Sequence, residues 1–193
     1  MRILFLLSFS LLLFACSNSS NQSEILKSEI AKLESMDTAA IVLKNKYQQF
    51  YNQHPKDSIN SKYLLEIARY YQSETKRMDS AQFYSKEVFT TFGQSASAAE
   101  AMLMYATLQK ELADRVHWYK KTQQNYPRTK SGEDALITLA IDLENRKMNE
   151  EAVKYYEEYL AIYPNGVHQK DAEFSIKFMG RLDDFIRQAE NKN

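Results

Sequence analysis

Residues Glu133–Pro164 read EDALITLAIDLENRKMNEEAVKYYEEYLAIYP and decide the fold of this chain. The first half places apolar residues at helical spacing, at Leu136, Leu139, Ala140 and Leu143. The second half repeats this spacing, at Ala152, Tyr156, Tyr159 and Tyr163. A helix with one apolar stripe must bury it against another element. The stretch therefore predicts two helices packed on each other, with a turn at residues 145–149.

The same pattern of two helices recurs along the chain. Residues 64–93 repeat it well. Residues 102–127 repeat it less well, because their predicted turn is shorter and Arg115 stands where the other units have a small residue, unless the register slips to Ala113. An atypical unit precedes these two, and a fifth begins after Pro164, with residues 180–193 as its shortened second helix. Stacked units bury a continuous core, which one unit alone cannot do.

The pattern resembles the tetratricopeptide repeat, a helix-turn-helix unit of about 34 residues. Small residues stand where the two helices cross, at Ala140 and Ala152, an aromatic residue follows at Tyr156, and Pro164 closes the unit. Small side chains let two helices approach closely, and proline ends a helix because it lacks an N–H donor. We predict an all-α fold: an α-solenoid of antiparallel helix pairs with about four repeats and a shortened C-terminal unit.

The composition agrees with long helices and limits the possible partners. Of the 193 residues only four are glycine and three are proline, too few for the many turns of a β protein. Lysine and arginine together number 25, as do aspartate and glutamate. Proteins that bind nucleic acid usually carry a basic surface, and no basic stripe appears in this sequence. We expect no nucleic-acid partner.

The N-terminus predicts export and lipid attachment. Arg2 precedes a largely apolar run at residues 3–14, which has the length of a signal sequence and is too short to span a bilayer. The run ends in LFAC at residues 13–16, which resembles the bacterial lipobox, and Cys16 is the only cysteine. The resemblance implies that Cys16 receives diacylglycerol and that its freed amine is acylated with a fatty acid such as palmitate. The alternative is an ordinary signal peptide that stops near a cysteine.

This anchor sets the predicted domains and location. Residues 1–15 are the expected signal peptide, 16–23 the lipidated cysteine with a flexible polar tether, and 24–193 the helical repeat domain. In lipoproteins of this type a serine after the cysteine, here Ser17, is typical of transfer to the outer membrane. We expect a lipid-anchored protein of the outer membrane that faces the periplasm.

The sequence gives no indication of catalysis, a metal site or a cofactor. His54, His117 and His168 lie in different repeats, without partners at metal-ligand spacing. The sequence has no phosphate-binding glycine loop, nucleophile elbow or HExxH zinc motif. We expect a protein that is not an enzyme.

Three tripeptides are open to two interpretations: DTA at 37–39, DSI at 57–59 and DSA at 79–81. Asp, Ser and Thr side chains before a helix commonly accept its free backbone N–H groups. The same tripeptides also resemble an O-glycosylation sequon of exported proteins in some bacterial phyla. Capping is the interpretation that we favour, and both can hold at different sites.

The resemblance to tetratricopeptide repeats also implies a binding surface. The first helices of successive units line the concave face of such solenoids. Carried over position by position, this face includes Leu65, Arg69, Leu103, Thr107, Ile137 and Ile141. A solenoid gains nothing from exposing Leu65, Leu103 and Ile141 unless a partner covers them. We therefore expect a protein or peptide partner with apolar anchors and a few charges. The alternative is that these side chains merely face solvent or contact neighbouring repeats.

Anchor and repeats together resemble two families of envelope proteins. One is the BamD-like lipoprotein of the outer-membrane protein assembly machine, and the other is the YbgF-like factor of the Tol-Pal system. The leading hypothesis is a lipid-anchored scaffold that binds subunits of the assembly machine. The alternative is a Tol-Pal-associated, peptidoglycan-associated or glycan-binding lipoprotein. For glycan binding, the aromatic residues that could stack on a sugar are Tyr70, Trp118 and Tyr155.

Overall fold

A computed structural model describes the backbone of residues 21–190 and the side chains of residues 21–181. This part of the chain consists of helices joined by short loops, without strands. Helix α1 covers residues 21–34. It is followed by α2 (Ala40–Gln53), α3 (Asn60–Ser73), α4 (Met78–Thr91), α5 (Ala98–Thr107), α6 (Leu112–Asn125), α7 (Lys130–Asn145), α8 (Asn149–Ile162) and α9 (Gln169–Glu190). The predicted all-α fold is confirmed.

The predicted pair at Glu133–Pro164 is formed by α7 and α8, which pack against each other. Thr129 caps α7, because its hydroxyl oxygen accepts the N–H of Gly132 at 3.1 Å. The turn occupies residues 146–148, where Lys147 adopts a positive φ of 61°. The predicted turn is thus confirmed to within one residue at each end.

The pair α3 and α4 repeats this geometry. Lys76 lies in its turn with φ of 56°, at the place that Lys147 holds in the later turn. The crossing residues Ala68 and Ala81 are both fully buried, as are Ala140 and Ala152 in the later pair. Small side chains at these four positions allow the helices to pack closely.

The chain forms two compact units, one ending at Ser95 and one beginning at Ala96. Each unit has its own buried apolar residues. Those of the first unit include Ile30, Phe50, Leu64, Ile67 and Val88. Those of the second unit include Leu136, Leu139, Tyr156, Tyr159 and Met179. Tyrosine rings fill much of the second core, as the aromatic spacing of α8 predicts.

The third repeat, formed by α5 and α6, is shortened at a different place than the sequence predicts. Helix α5 has 10 residues, whereas α7 has 16. The loop after α5 spans residues 108–111 and is no shorter than the loop at 146–148. The missing residues are therefore taken from the end of the first helix, not from the turn.

Arg115 occupies the crossing position of this unit, and the register does not slip to Ala113, which is exposed. The Arg115 Nε atom lies 3.1 Å from Oδ2 of Asp142 on α7. The contact is an ion pair without the alignment of a hydrogen bond. A half-buried charge needs such a counter-charge, which explains how the unit accepts arginine in place of alanine.

The helices differ from the predicted ones near both ends of the described chain. Helix α1 already includes residues 21–23, which the sequence assigned to the tether, and Ser23 is buried with its hydroxyl 3.4 Å from Asp57. At the other end, α9 runs without a break through Gly180. The expected separate second helix at 180–193 is therefore wrong for residues 180–190. A single glycine inside a helical pattern, such as Gly180, does not end the helix.

The capping interpretation of the three tripeptides is only partly correct. Helix α2 follows Ala39 and α4 follows Arg77, and neither start has a side-chain cap. Before α3, an oxygen of Asp57 accepts the N–H of Ile59 at 3.1 Å, which closes a local turn. Ser80 lies inside the first turn of α4.

Candidate functional site

In each unit the first helices of neighbouring repeats lie side by side. In the first unit the Lys62 ammonium of α3 lies 2.9 Å from the Glu34 carboxylate of α1. In the second unit α5 packs against α7. The candidate site is the row of first helices, as the resemblance to tetratricopeptide repeats implies.

In the second unit, the predicted residues differ in accessibility. Ile141 on α7 is 44% exposed, and Leu103 on α5 is half-buried. Thr107, the last residue of α5, is half-buried and donates its hydroxyl to the Met104 carbonyl oxygen at 2.7 Å. This surface therefore offers apolar side chains, with little free hydrogen-bonding capacity at Thr107.

Ile137 is different, because it is only 3% exposed and belongs to the core of the second unit. It precedes Ile141 by one helical turn, so the two share a face of α7. The core of the second unit covers Ile137, so only the later of the two is accessible. Ile137 is therefore part of the core beneath this surface and not of the surface itself.

In the first unit, Arg69 lies at a small cavity of about 180 Å³ between α2 and α3. Its guanidinium pairs with Glu66 on the same helix. Lys44 and Tyr70 also line this cavity, and the Lys44 ammonium lies 5.8 Å from the centre of the Tyr70 ring. The cavity is therefore bordered by alternating charges and an aromatic ring.

Leu65, which the sequence predicted to be exposed, is only 4% exposed. The expectation of exposure is wrong for Leu65, partly correct for Leu103 and correct for Ile141. Helical spacing identifies which residues share a face. It does not reveal how far a neighbouring helix covers that face.

Glu34 is a central acidic group that sequence reasoning missed. It pairs with Lys62, and it also accepts the Tyr47 hydroxyl at 2.9 Å. Burial and this hydrogen bond raise the pKa of Tyr47 well above its ordinary value. The Tyr47 ring stacks on Tyr63 at 4.8 Å. No local signal could have found Glu34, whereas the spacing of three between Glu66 and Arg69 could have predicted their pair.

The three aromatic residues considered for sugar stacking each carry a lysine over the ring. The ammonium of Lys121 lies 4.6 Å from the centre of Trp118, and that of Lys120 lies 5.8 Å from Tyr155. The ammonium of Lys44 lies 5.8 Å from the centre of the Tyr70 ring. A sugar that stacked on these faces would have to displace the cation. This geometry disfavours glycan stacking on them.

The remaining predictions concern the anchor, metals and membranes. Cys16 lies outside the described residues. Within residues 21–181, no cluster of three histidine, cysteine, aspartate or glutamate side chains is placed to hold a metal ion. No helix in the described part is both long and apolar enough to cross a bilayer.

Comparison with known proteins supports the fold. A crystal structure described as "Podosopora anserina putative kinesin light chain nearly identical TPR-like repeats" matches with a TM-score of 0.57. The match covers 91% of this chain and 91% of that one, at 12% sequence identity. No family profile and no curated protein matches the chain. The structural match shows that the chain has a tetratricopeptide-like repeat fold.

Proposed function

We propose that this chain is a lipid-anchored scaffold of the outer membrane, held by Cys16 and facing the periplasm, which binds a protein partner through its first helices. Assembly of outer-membrane proteins is the process that we assign to it first. The observation that carries the proposal is the surface of α5 and α7, where Ile141 remains 44% exposed beside a packed helix pair. An apolar side chain on such a face is suited to anchor a partner.

Three further features support this function. Repeat folds of this type typically present side chains on a rigid frame and perform no chemistry of their own. The lipobox-like LFAC at residues 13–16 follows an apolar run, as in exported lipoproteins. Several acyl chains on Cys16 would give stable anchoring, whereas one chain alone gives only reversible binding.

The test is gentle detergent extraction of the tagged full-length protein, followed by mass spectrometry of the proteins that come with it. We expect a barrel-assembly subunit in stoichiometric amount. Ile141→Lys should remove it, because a charge cannot enter an apolar contact without a counter-charge. Cys16→Ser should release the protein from the membrane fraction.

Ile41 on α2 provides a matched control, since it is the same residue type, is also 44% exposed and lies in the other unit, outside both proposed binding surfaces. Ile41→Lys should leave the assembly subunit bound. Recovery of only Tol-Pal proteins or cell-wall fragments would contradict the assembly role. Equal loss of the partner in both isoleucine variants would contradict the assignment of the binding face to α5 and α7.

A further inference from the structure

A groove lies on the second unit, at the start of α7. The loop between α6 and α7 with the first turn of α7 forms one wall, and the end of α8 with the loop to α9 forms the other. Its volume is about 530 Å³, within the range of about 300–1,000 Å³ that is usual for ligand sites. We call it the loop groove, and its lining includes Pro127, Arg128, Thr129, Ile162, Tyr163 and Val167.

Hydrogen bonds fix the walls of the loop groove to each other. The Tyr163 hydroxyl donates to the Pro127 carbonyl oxygen at 3.0 Å. One carboxylate oxygen of Glu133 accepts both the Tyr159 hydroxyl at 2.5 Å and the Val167 N–H at 2.8 Å. These bonds connect the start of α7, the body and end of α8 and the following loop. The groove is therefore formed before any partner arrives.

Because Gly166 has no side chain, the loop between α8 and α9 can lie close to Tyr159 and Glu133. A Cβ atom at this position would lie 2.2 Å from the Tyr159 hydroxyl oxygen and 2.5 Å from Oε1 of Glu133. The N–H of His168 also donates to the Tyr159 hydroxyl, at 3.0 Å. The loop is therefore tied down on both sides of Val167.

Two aliphatic side chains nevertheless remain in solvent at this fixed site. Ile162 is 42% exposed and Val167 is 73% exposed. Because the backbone at Val167 is tied to Glu133, its side chain stays out of the core of the unit. Apolar side chains held out of the core at a preformed groove are typical of an interaction site.

The polar groups of the groove are satisfied within the chain, except one. Lys130 pairs with Asp134. The Thr129 hydroxyl donates to the Tyr126 carbonyl oxygen and accepts the Gly132 N–H. Arg128 is exposed, and it has no hydrogen bond or ion pair with any residue of the described part. Its guanidinium keeps all five N–H donors for a partner, in a geometry that suits a carboxylate.

We propose that the loop groove binds an extended segment of a partner protein that carries an apolar side chain next to an aspartate or glutamate. The apolar side chain lies against Ile162 and Val167, and the carboxylate pairs with Arg128. Charge complementarity selects an acidic segment over a basic one, since Arg128 is the exposed charge of the lining without a polar partner in the described part, whereas the Glu133 carboxylate already accepts the Tyr159 hydroxyl and the Val167 N–H. The inference concerns the start of α7 with its adjoining loops rather than Ile141, and it does not depend on the lipid anchor.

The test uses the full-length protein in detergent and immobilised peptides with Gly-Ser flanks and a central Leu-Asp, Leu-Asn or Leu-Lys pair. We expect retention of the Leu-Asp peptide, with binding about tenfold weaker for Leu-Asn, because a charge-assisted hydrogen bond is replaced by a neutral one. Arg128→Gln should bind Leu-Asp and Leu-Asn equally. Ile162→Ser should weaken binding of all three peptides.

Two matched controls keep the test specific. Arg181→Gln removes another exposed arginine of the same unit, and Ile141→Ser removes an isoleucine of similar exposure near the other end of α7, outside the groove lining. Both should preserve the preference for Leu-Asp. The proposal is overturned if no peptide is retained, if Leu-Asp and Leu-Asn bind alike, or if Arg128→Gln keeps the preference.

The peptide test and the extraction test fail independently. Peptides need neither the membrane nor the natural partner, so retention of Leu-Asp would stand even if no envelope protein were recovered with the anchored chain. Conversely, an assembly subunit lost on Ile141→Lys would support the scaffold function even if the loop groove bound no peptide.

Discussion

The Nε atom of Arg115 lies 3.1 Å from Oδ2 of Asp142, across the contact of α6 with α7. The two side chains are 22% and 14% exposed, so the pair is largely removed from water. Arg146 also reaches Asp142, at 3.3 Å. Arg115 stands at the place of Ala81 in α4 and of Ala152 in α8, and its ion pair reaches the first helix of the next repeat. The third repeat therefore depends on charge where the others have a small buried side chain.

A double-mutant cycle on this pair tests that dependence. Asp142→Ala should lower the free energy of unfolding by about 1–3 kcal/mol, because it leaves the half-buried Arg115 without its counter-charge. Arg115→Ala with Asp142→Ala should recover much of the loss, because it restores the small residue that the repeat pattern predicts. Urea unfolding of the wild type, the two single variants and the double variant measures the coupling. If the changes in the free energy of unfolding of the two single variants add up to that of the double variant, Arg115 and Asp142 are not coupled and the proposed dependence on charge is wrong.

Removing two tyrosine hydroxyls from the core of the second unit should affect the stability of the protein in opposite ways. The Tyr119 hydroxyl is buried beside the Arg115 side chain but makes no hydrogen bond of good geometry in the described part, so Tyr119→Phe should be neutral or stabilise by up to about 1 kcal/mol. The Tyr159 hydroxyl bonds both Glu133 and the N–H of His168, so Tyr159→Phe should destabilise by about 1–3 kcal/mol. Thermal unfolding of the two variants compares them, and equal shifts would contradict the hydrogen-bond assignment.

Two glycines of the same unit give a similar contrast. Gly166→Ala should destabilise by about 1–3 kcal/mol, because its Cβ would collide with Tyr159 and Glu133. Gly180 lies within α9, and a Cβ added there would have no neighbouring atom of the described residues within 4 Å, so Gly180→Ala should stabilise by up to about 1 kcal/mol. Chemical unfolding measures both. An unchanged free energy of unfolding in Gly166→Ala would contradict this expectation, because it would show that the loop after α8 can move away from Tyr159.

Stability should fall in strongly alkaline solution. Burial, followed by the hydrogen bond to Glu133, raises the pKa of Tyr159 from 10.0 to about 12. Between these values the unfolded chain loses the phenolic proton while the folded chain keeps it, so unfolding becomes more favourable as pH rises. Below about pH 10 this contribution is constant. Urea midpoints measured from about pH 8 to about pH 11 should show the decline, and Tyr159→Phe should reduce its slope. A slope unchanged in Tyr159→Phe would refute the role of this hydroxyl.

The repeat pattern was readable from the sequence because its apolar spacing has the helical period. Leu136, Leu139 and Tyr159 are buried as that spacing predicts, and the turn before Asn149 is where its polar residues indicate. The sequence left the register of the third repeat open between Arg115 and Ala113. The structure decides it, because Arg115 is the fourth residue of α6, as Ala81 is of α4 and Ala152 of α8.

The parts that could not be predicted depend on neighbours distant in sequence. Leu65 and Ile137 fall on the face expected for binding, yet other helices cover them. The counter-charge of Arg115 comes from Asp142, and the fixing of Val167 comes from Glu133; both partners lie well away along the chain. The loop groove itself arises from two loops, neither of which has a periodic pattern.

The most direct test of the scaffold function is site-specific photocrosslinking in living cells that produce the full-length chain. A benzophenone amino acid replaces Ile141 in one strain and Phe83, which is exposed on α4 of the other unit, in a second strain. We predict an adduct with one envelope protein from position 141, none from position 83, and loss of the adduct in Cys16→Ser. Absence of an adduct at position 141, or the same adduct from both positions, would contradict the proposal.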